Sequence, residues 1–234
     1  MMMRFKSAVE IATNLALAAA AVTLVWRLVY SPVTPRAGEP RAAVEDVESK
    51  GLSMALSAAN RKGAPDAEVV LLEFSDYQCP YCGKYANETF GQIDKAFVAT
   101  NRVQYAFHNY PLGNHSDAIP AAVAAECSGE QGKYWEMHDR LFTRQAELSK
   151  RIWLQEAPEL QLDLQAFERC LSGAKAEKIR GDMAEASRFG VNSTPTFFIG
   201  KLTKDGQMKA LRRISGAQPY AVFERQLNEI LGDG

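Results

Sequence analysis

Four cysteines are spread over 234 residues, too few for a small disulfide-dense scaffold, so each thiol has to be read from its own surroundings. A basic excess is also missing. The formal net charge is −1, which leaves no positive field for phosphate backbones and argues against a nucleic-acid partner. No long run of one charge sign marks a solvated tail, and there is no internal repeat or low-complexity segment. The three histidines, His108, His115 and His138, stand apart from one another, and each reads as structural or surface. What remains is 47% hydrophobic residues, the composition of one ordinary globular domain with extra segments.

Two of the cysteines lie in Phe74-Ser75-Asp76-Tyr77-Gln78-Cys79-Pro80-Tyr81-Cys82-Gly83-Lys84-Tyr85. Before them runs Glu68-Val69-Val70-Leu71-Leu72-Glu73-Phe74, apolar without strict alternation, as in a strand covered on both faces. After them Tyr85, Phe90, Ile93, Ala96 and Phe97 recur at helical spacing. The Cys-x-x-Cys therefore falls where a buried strand hands over to a helix. Cys79 is expected at the N-cap with Pro80 at the first helical position, where a missing N–H costs nothing. The unpaired amides of that first turn, near Tyr81 and Cys82, and the positive end of the helix dipole favour a thiolate at Cys79. The dipole supplies about 0.3–2 kcal/mol, less than the roughly 2–7 kcal/mol needed to bring a thiol from about 8.5 to about 3.5–7. Direct N–H to sulfur hydrogen bonds must carry much of the rest. Cys82, one turn further in, is expected to be more buried and less ionised.

At the N-terminus Arg4 and Lys6 precede an uncharged stretch from Ile11 to Trp26, extended through Leu28, Val29 and Tyr30 past Arg27. Its length suits the hydrocarbon core of a bilayer, with Trp26 and Tyr30 as interfacial anchors. Residues 1–30 thus read as a membrane anchor or, using Ala19-Ala20-Ala21 as a cleavage site, as a signal segment; either exports the remainder. Residues 31–62, with Pro32, Pro35, Gly38 and Pro40, read as a linker, with a short helix or strand around Leu52 to Leu56. Gly63-Ala64-Pro65-Asp66 is a turn. Strands are expected from Arg102 to His108, Thr196 to Ile199 and Ala210 to Ile214. Between the first and second of these lies a helical stretch: Ala118 to Cys127, Gly132 to Arg144, Leu162 to Leu171 and Lys175 to Phe189, with turns near Gly129, Pro158 and Gly173. An amphipathic helix from Pro219 to Leu231 closes the chain.

Cys79-Pro80-Tyr81-Cys82 after a buried strand, together with Ser193-Thr194-Pro195-Thr196 before a later one, resembles the thioredoxin fold. The extra helical block is similar to DsbA-like thiol-disulfide oxidoreductases, here in a membrane-anchored bacterial form. The resemblance implies an α/β thioredoxin fold over residues 63–234 with a helical insertion at about 116–190, between the second and third core strands, after an N-terminal transmembrane helix. It implies a cis peptide bond before Pro195, with Thr194 and Pro195 facing the redox pair and receiving an extended substrate. Cys79 would be the attacking and attacked sulfur, Pro80 and Tyr81 the active-site dipeptide, and Cys82 the resolving thiol.

The resemblance also matches Glu73 to a buried acid beneath the pair. The residues support it separately, since a carboxyl in a doubly covered strand needs a reason to be there, proton transfer with Cys82 being one and an early, solvated strand end the other. Asp76 is expected nearer the surface, capping a turn. Cys127 and Cys170 read as a structural disulfide, the alternatives being two buried free thiols or, with Cys79 and Cys82, a four-thiolate zinc site. The implied activity is protein-disulfide oxidoreductase, most simply an oxidase, without cofactor or metal. Its partners would be cysteine-containing exported proteins and a quinone-linked membrane protein, at the inner membrane with the catalytic domain facing the periplasm or cell exterior. A reductase or isomerase would use the same residues, and a non-catalytic chaperone or assembly factor would use the apolar surface near Pro195.

Overall fold

The computed structural model describes residues 43–56, 60–173 and 175–232. The anchor or signal segment expected at 1–30 lies outside them. Among the described residues no helix is long and apolar enough to cross a membrane.

The centre of the fold is β4, Val69–Ser75, every residue of which is buried. It pairs in parallel with β5, Val103–Asn109, and antiparallel with β6, Thr196–Leu202. The last core strand is β7, Gln207–Ser215, antiparallel to β6. Both faces of β4 are covered because its two side-chain sets pack into different clusters. Val69 and Leu71 join Tyr85, Phe97, Tyr105, Phe197 and Phe223 on one face. Val70, Leu72 and Phe74 join Val47, Met54, Phe198 and Met208 on the other. At the bulge between Ile199 and Gly200 the chains approach so closely that a Cβ on Gly200 would lie 2.1 Å from the Lys209 carbonyl oxygen. Only glycine fits there.

Helix α1, residues 80–98, starts as an α-helix at Pro80–Tyr85 and takes π-helical turns at Ala86–Phe90 and Asp94–Val98. The five-residue step from Tyr85 to Phe90 is the spacing that a π turn brings onto one face, and the two rings lie 6.2 Å apart. Between β5 and β6 come α2 (Ala118–Gly129), α3 (Tyr134–Thr143), a 3-10 segment (Gln145–Lys150), α4 (Trp153–Glu159), α5 (Leu164–Leu171) and α6 (Ala176–Arg188). Helix α7, Tyr220–Leu231, follows β7.

The turn expected near Pro158 is present: α4 ends at Glu159, and the Gln161 N–H donates to the Pro158 carbonyl oxygen at 3.0 Å. The linker expected over 31–62 gives way in part to sheet: β1 (Val44–Asp46) pairs with β7 and β3 (Arg61–Lys62) with β5, while β2 (Ser53–Ala55), also paired with β7, falls where a short helix or strand was expected around Leu52 to Leu56. Buried Val47 and Met54 supply the apolar contacts that hold this arm.

Candidate active site

The C-terminal end of β4 and the N-terminus of α1 are joined by a turn whose organiser is Asp76. Its Oδ1 accepts from the backbone N–H of Gln78 at 2.6 Å and of Cys79 at 3.2 Å. Its Oδ2 accepts from the N–H of Leu112 at 2.7 Å and lies 2.8 Å from His115 Nδ1. The sequence reading placed Asp76 nearer the surface; it does cap the turn, but it is buried, because the amides of two loops satisfy its oxygens in place of water.

Cys79 is the N-cap of α1 in extended conformation (φ −71°, ψ 121°), with Pro80 opening the helix. Its residue surface is 4% exposed and that of Cys82 is fully buried, whereas Tyr81 between them is 65% exposed. Both thiols are free. The Thr194–Pro195 peptide bond is cis, and the Cys79 thiol donates to the Thr194 carbonyl oxygen at 3.5 Å.

The two sulfurs differ sharply in acidity. Hydrogen bonding from the Cys82 thiol, aided by the Thr194 hydroxyl and the amides of Cys82 and Tyr81, outweighs burial and brings Cys79 from 9.0 down to about 5. The Thr194 hydroxyl is itself buried and has no other hydrogen-bond partner. Burial first, and then the nearby Cys79 sulfur, pushes Cys82 well above an ordinary thiol. The first proton to leave the pair therefore leaves Cys79.

Glu73 lies within β4, is 1% exposed, and accepts a short hydrogen bond from the Tyr105 hydroxyl. Burial raises its carboxyl from 4.5 to about 7 against the pull of Ser75 and Tyr105. The Ser75 hydroxyl is buried, makes no hydrogen bond at ordinary geometry, and influences both Glu73 and Cys82. On one face of a strand residues i and i+2 are neighbours, which sets this hydroxyl beside the acid. Sequence reasoning passed over Ser75; its offset of two from Glu73 was the available signal.

Cys127 and Cys170 are bonded to each other, S–S 2.01 Å, joining α2 to α5. So paired, they leave no four-thiolate site for zinc with Cys79 and Cys82. Their sequence separation of 43 residues restricts the unfolded chain by roughly 4 kcal/mol in the loop-entropy view. The variant Cys127→Ala/Cys170→Ala is expected to unfold about 10 °C lower, at roughly 2–4 °C per kcal/mol for a domain of this size. Calorimetry at matched redox state checks this.

Residues 58–214 match the family described as Thioredoxin. The chain belongs to that family. Its solved structural neighbours share the fold: Wolbachia pipientis alpha-DsbA1 aligns with a TM-score of 0.67 at 23% identity, covering 77% of this chain and 94% of that one. Bacillus subtilis BdbD, oxidised, aligns at 0.65 and 20% identity over 78% and 98%, and a protein-disulfide isomerase from Novosphingobium aromaticivorans at 0.55 and 21% over 74% and 96%. The helical insertion between the second and third core strands is thus the DsbA-like elaboration of the thioredoxin fold.

Curated relatives match by sequence over a shorter span. The Na(+)/H(+) antiporter NhaA 3 of Salinispora tropica is 37% identical over 140 residues, 59% of this chain and 21% of the antiporter. NhaA of Herminiimonas arsenicoxydans is 31% identical over 178 residues, 76% of this chain and 28% of that protein. The chain spans only 21% and 28% of these two antiporters, so ion transport is not carried over to it.

Proposed function

We propose that the protein is a thiol-disulfide oxidoreductase that donates disulfides to cysteine-containing exported proteins. The acidity gap between Cys79 and Cys82 carries this reading. A substrate thiolate attacks Cys79 of the oxidised pair, forming a mixed disulfide and releasing Cys82, which takes its proton from Glu73 by way of Ser75. The second substrate thiol, as thiolate, then displaces Cys79 from the mixed disulfide. The substrate leaves with one disulfide and the protein leaves reduced, two electrons richer. A sulfur that ionises at about 5 is a good leaving group and stabilises the reduced state, which makes the pair an oxidant. The exposed Tyr81 and the Thr194–Pro195 segment frame the entrance, Thr194 and Pro195 offering backbone groups to an extended peptide. Reoxidation requires an electron acceptor, which we assign to a quinone-linked membrane protein, with residues 1–30 holding the domain at the inner membrane on its exported side.

The reduction potential of the pair in the full chain, equilibrated against glutathione, tests the direction. A value near about −120 mV is expected for a disulfide donor. One near about −270 mV would make the protein a thioredoxin-like reductase and overturn the oxidase reading. Activity that persists without Cys79 and Cys82 would instead favour a chaperone or assembly factor.

A further inference from the structure

One side chain of the helical insertion reaches the backbone on both sides of the reactive sulfur. Gln145 opens the 3-10 segment Gln145–Lys150, and its Nε2 donates to the carbonyl oxygens of Tyr77 at 2.7 Å and Cys79 at 2.9 Å. These carbonyls flank the reactive sulfur along the chain. The Cys79 carbonyl also accepts the first hydrogen bond of α1, from the Gly83 N–H at 3.1 Å.

Gln145 is itself held firmly. Next to it, Arg144 donates through Nη1 to Glu156 at 2.5 Å and through Nε and Nη2 to Glu147, both at 3.1 Å. On the other side the amide lies across the first turn of α1 over Gly83, where a Cβ would come within 2.4 Å of Gln145 Oε1. The glycine directly after the second cysteine leaves the space in which this amide sits.

We propose that Gln145 is a positioning residue for the redox pair: by fixing the Tyr77 and Cys79 carbonyls it sets the backbone rotation that aims the first amides of α1 at the Cys79 sulfur. The chemical argument is geometric. The bond between Cα and the carbonyl carbon of Cys79 (ψ 121°) decides where the following peptide planes point, and with them the N–H groups of Tyr81 and Cys82. A carbonyl clamped by a side-chain donor cannot turn toward water, so the N-cap angle is held at the value that serves the thiolate. Without the clamp, the same amides spend part of their time misdirected and the thiolate loses stabilisation. The insertion is thereby part of what sets sulfur chemistry, although it contributes no reacting atom. This inference rests on the redox reading of Cys79 and Cys82 given above.

The test is the pH titration of the Cys79 thiolate by its ultraviolet absorbance in the reduced full chain, for wild type, Gln145→Met and Gly83→Ala. Gln145→Met keeps the volume and removes both donors; its midpoint is expected to move up by about one pH unit, the scale of one net hydrogen bond. Gly83→Ala keeps Gln145 but drives its amide off the turn. It is expected to shift the midpoint in the same direction, by the same loss of the two carbonyl contacts. A purely structural role would lower the melting temperature of Gln145→Met without moving the midpoint. Wild-type midpoints in both variants, or in Gly83→Ala alone should Gln145→Met not fold, overturn the proposal. Failure of the functional reading looks different: the wild-type chain would not exchange disulfides with a dithiol peptide, whatever the variants do to the titration.

Discussion

Replacing Cys79 by serine should reduce disulfide transfer to a dithiol peptide to the uncatalysed level, a loss of roughly a thousandfold or more, with the fold intact. The reason is that all the stabilising contacts converge on one sulfur. Thr194, the first amides of α1 and the Cys82 thiol all raise the acidity of Cys79, and a serine hydroxyl in the same place stays protonated at any working pH. Cys82→Ser should behave differently. It retains the attacking sulfur but has no resolving partner, so incubation with a peptide disulfide should accumulate a mixed disulfide visible on unreduced gels. Transfer at an undiminished rate by Cys79→Ser would remove Cys79 from the mechanism, and an equal trap in both variants would remove the distinction between the two thiols.

The second large effect is on how stability depends on pH in the two redox states. In the reduced fold Cys79 ionises at about 5 rather than 9.0; its contribution is full above the ordinary thiol value and is lost as the pH falls through about 5. Glu73 acts in the opposite sense, at about 7 rather than 4.5: the buried carboxyl costs nothing below 4.5 and lowers stability as the pH rises to 7. Each slope is at most about 1.4 kcal/mol per pH unit. In the reduced protein the two cancel between about pH 5 and 7, after which stability climbs toward pH 9. In the oxidised protein the thiol no longer titrates, so only the decline from Glu73 remains. From pH 5 to 8 the reduced form should therefore gain on the oxidised form by up to roughly 4 kcal/mol, as read by denaturant unfolding of both. A gap that stays constant over this range would show that Cys79 is not a stabilised thiolate. Glu73→Gln should flatten the oxidised curve and leave the widening of the gap in place.

Much of this site could be read from the chain because its parts are local. A buried apolar run, a Cys-x-x-Cys and a helical spacing are contiguous in residues 68–97, and Thr194-Pro195 directly precedes the Thr196 strand. Glu73 was legible for the same reason, as a charge inside an apolar run. The parts that escaped depend on contacts between distant residues. Gln145 sits in a polar surface-like stretch, and nothing in its neighbours signals that its amide reaches Tyr77 and Cys79. Asp76 looked like an ordinary turn residue because the amide of Leu112, 36 positions away, could not be anticipated. The strands of the N-terminal arm are two or three residues long, too short for any period, and only the one within Leu52 to Leu56 showed in the sequence as a short element of either kind. Their register is set by partners as remote as Asp46 and Arg212, 166 positions apart.

That arm has a consequence for how the chain meets other chains. The four core strands end in two open borders, along β5 and along β7, each a row of backbone groups able to recruit a foreign strand. The arm's strands lie along both, β3 against β5 and β1 with β2 against β7. The border along β7 is thus largely closed to a foreign strand, and the one along β5 is closed at Tyr105 and Ala106. Proteolytic loss of the arm at Gly63 would leave the thiols in place and bare both borders to strand addition.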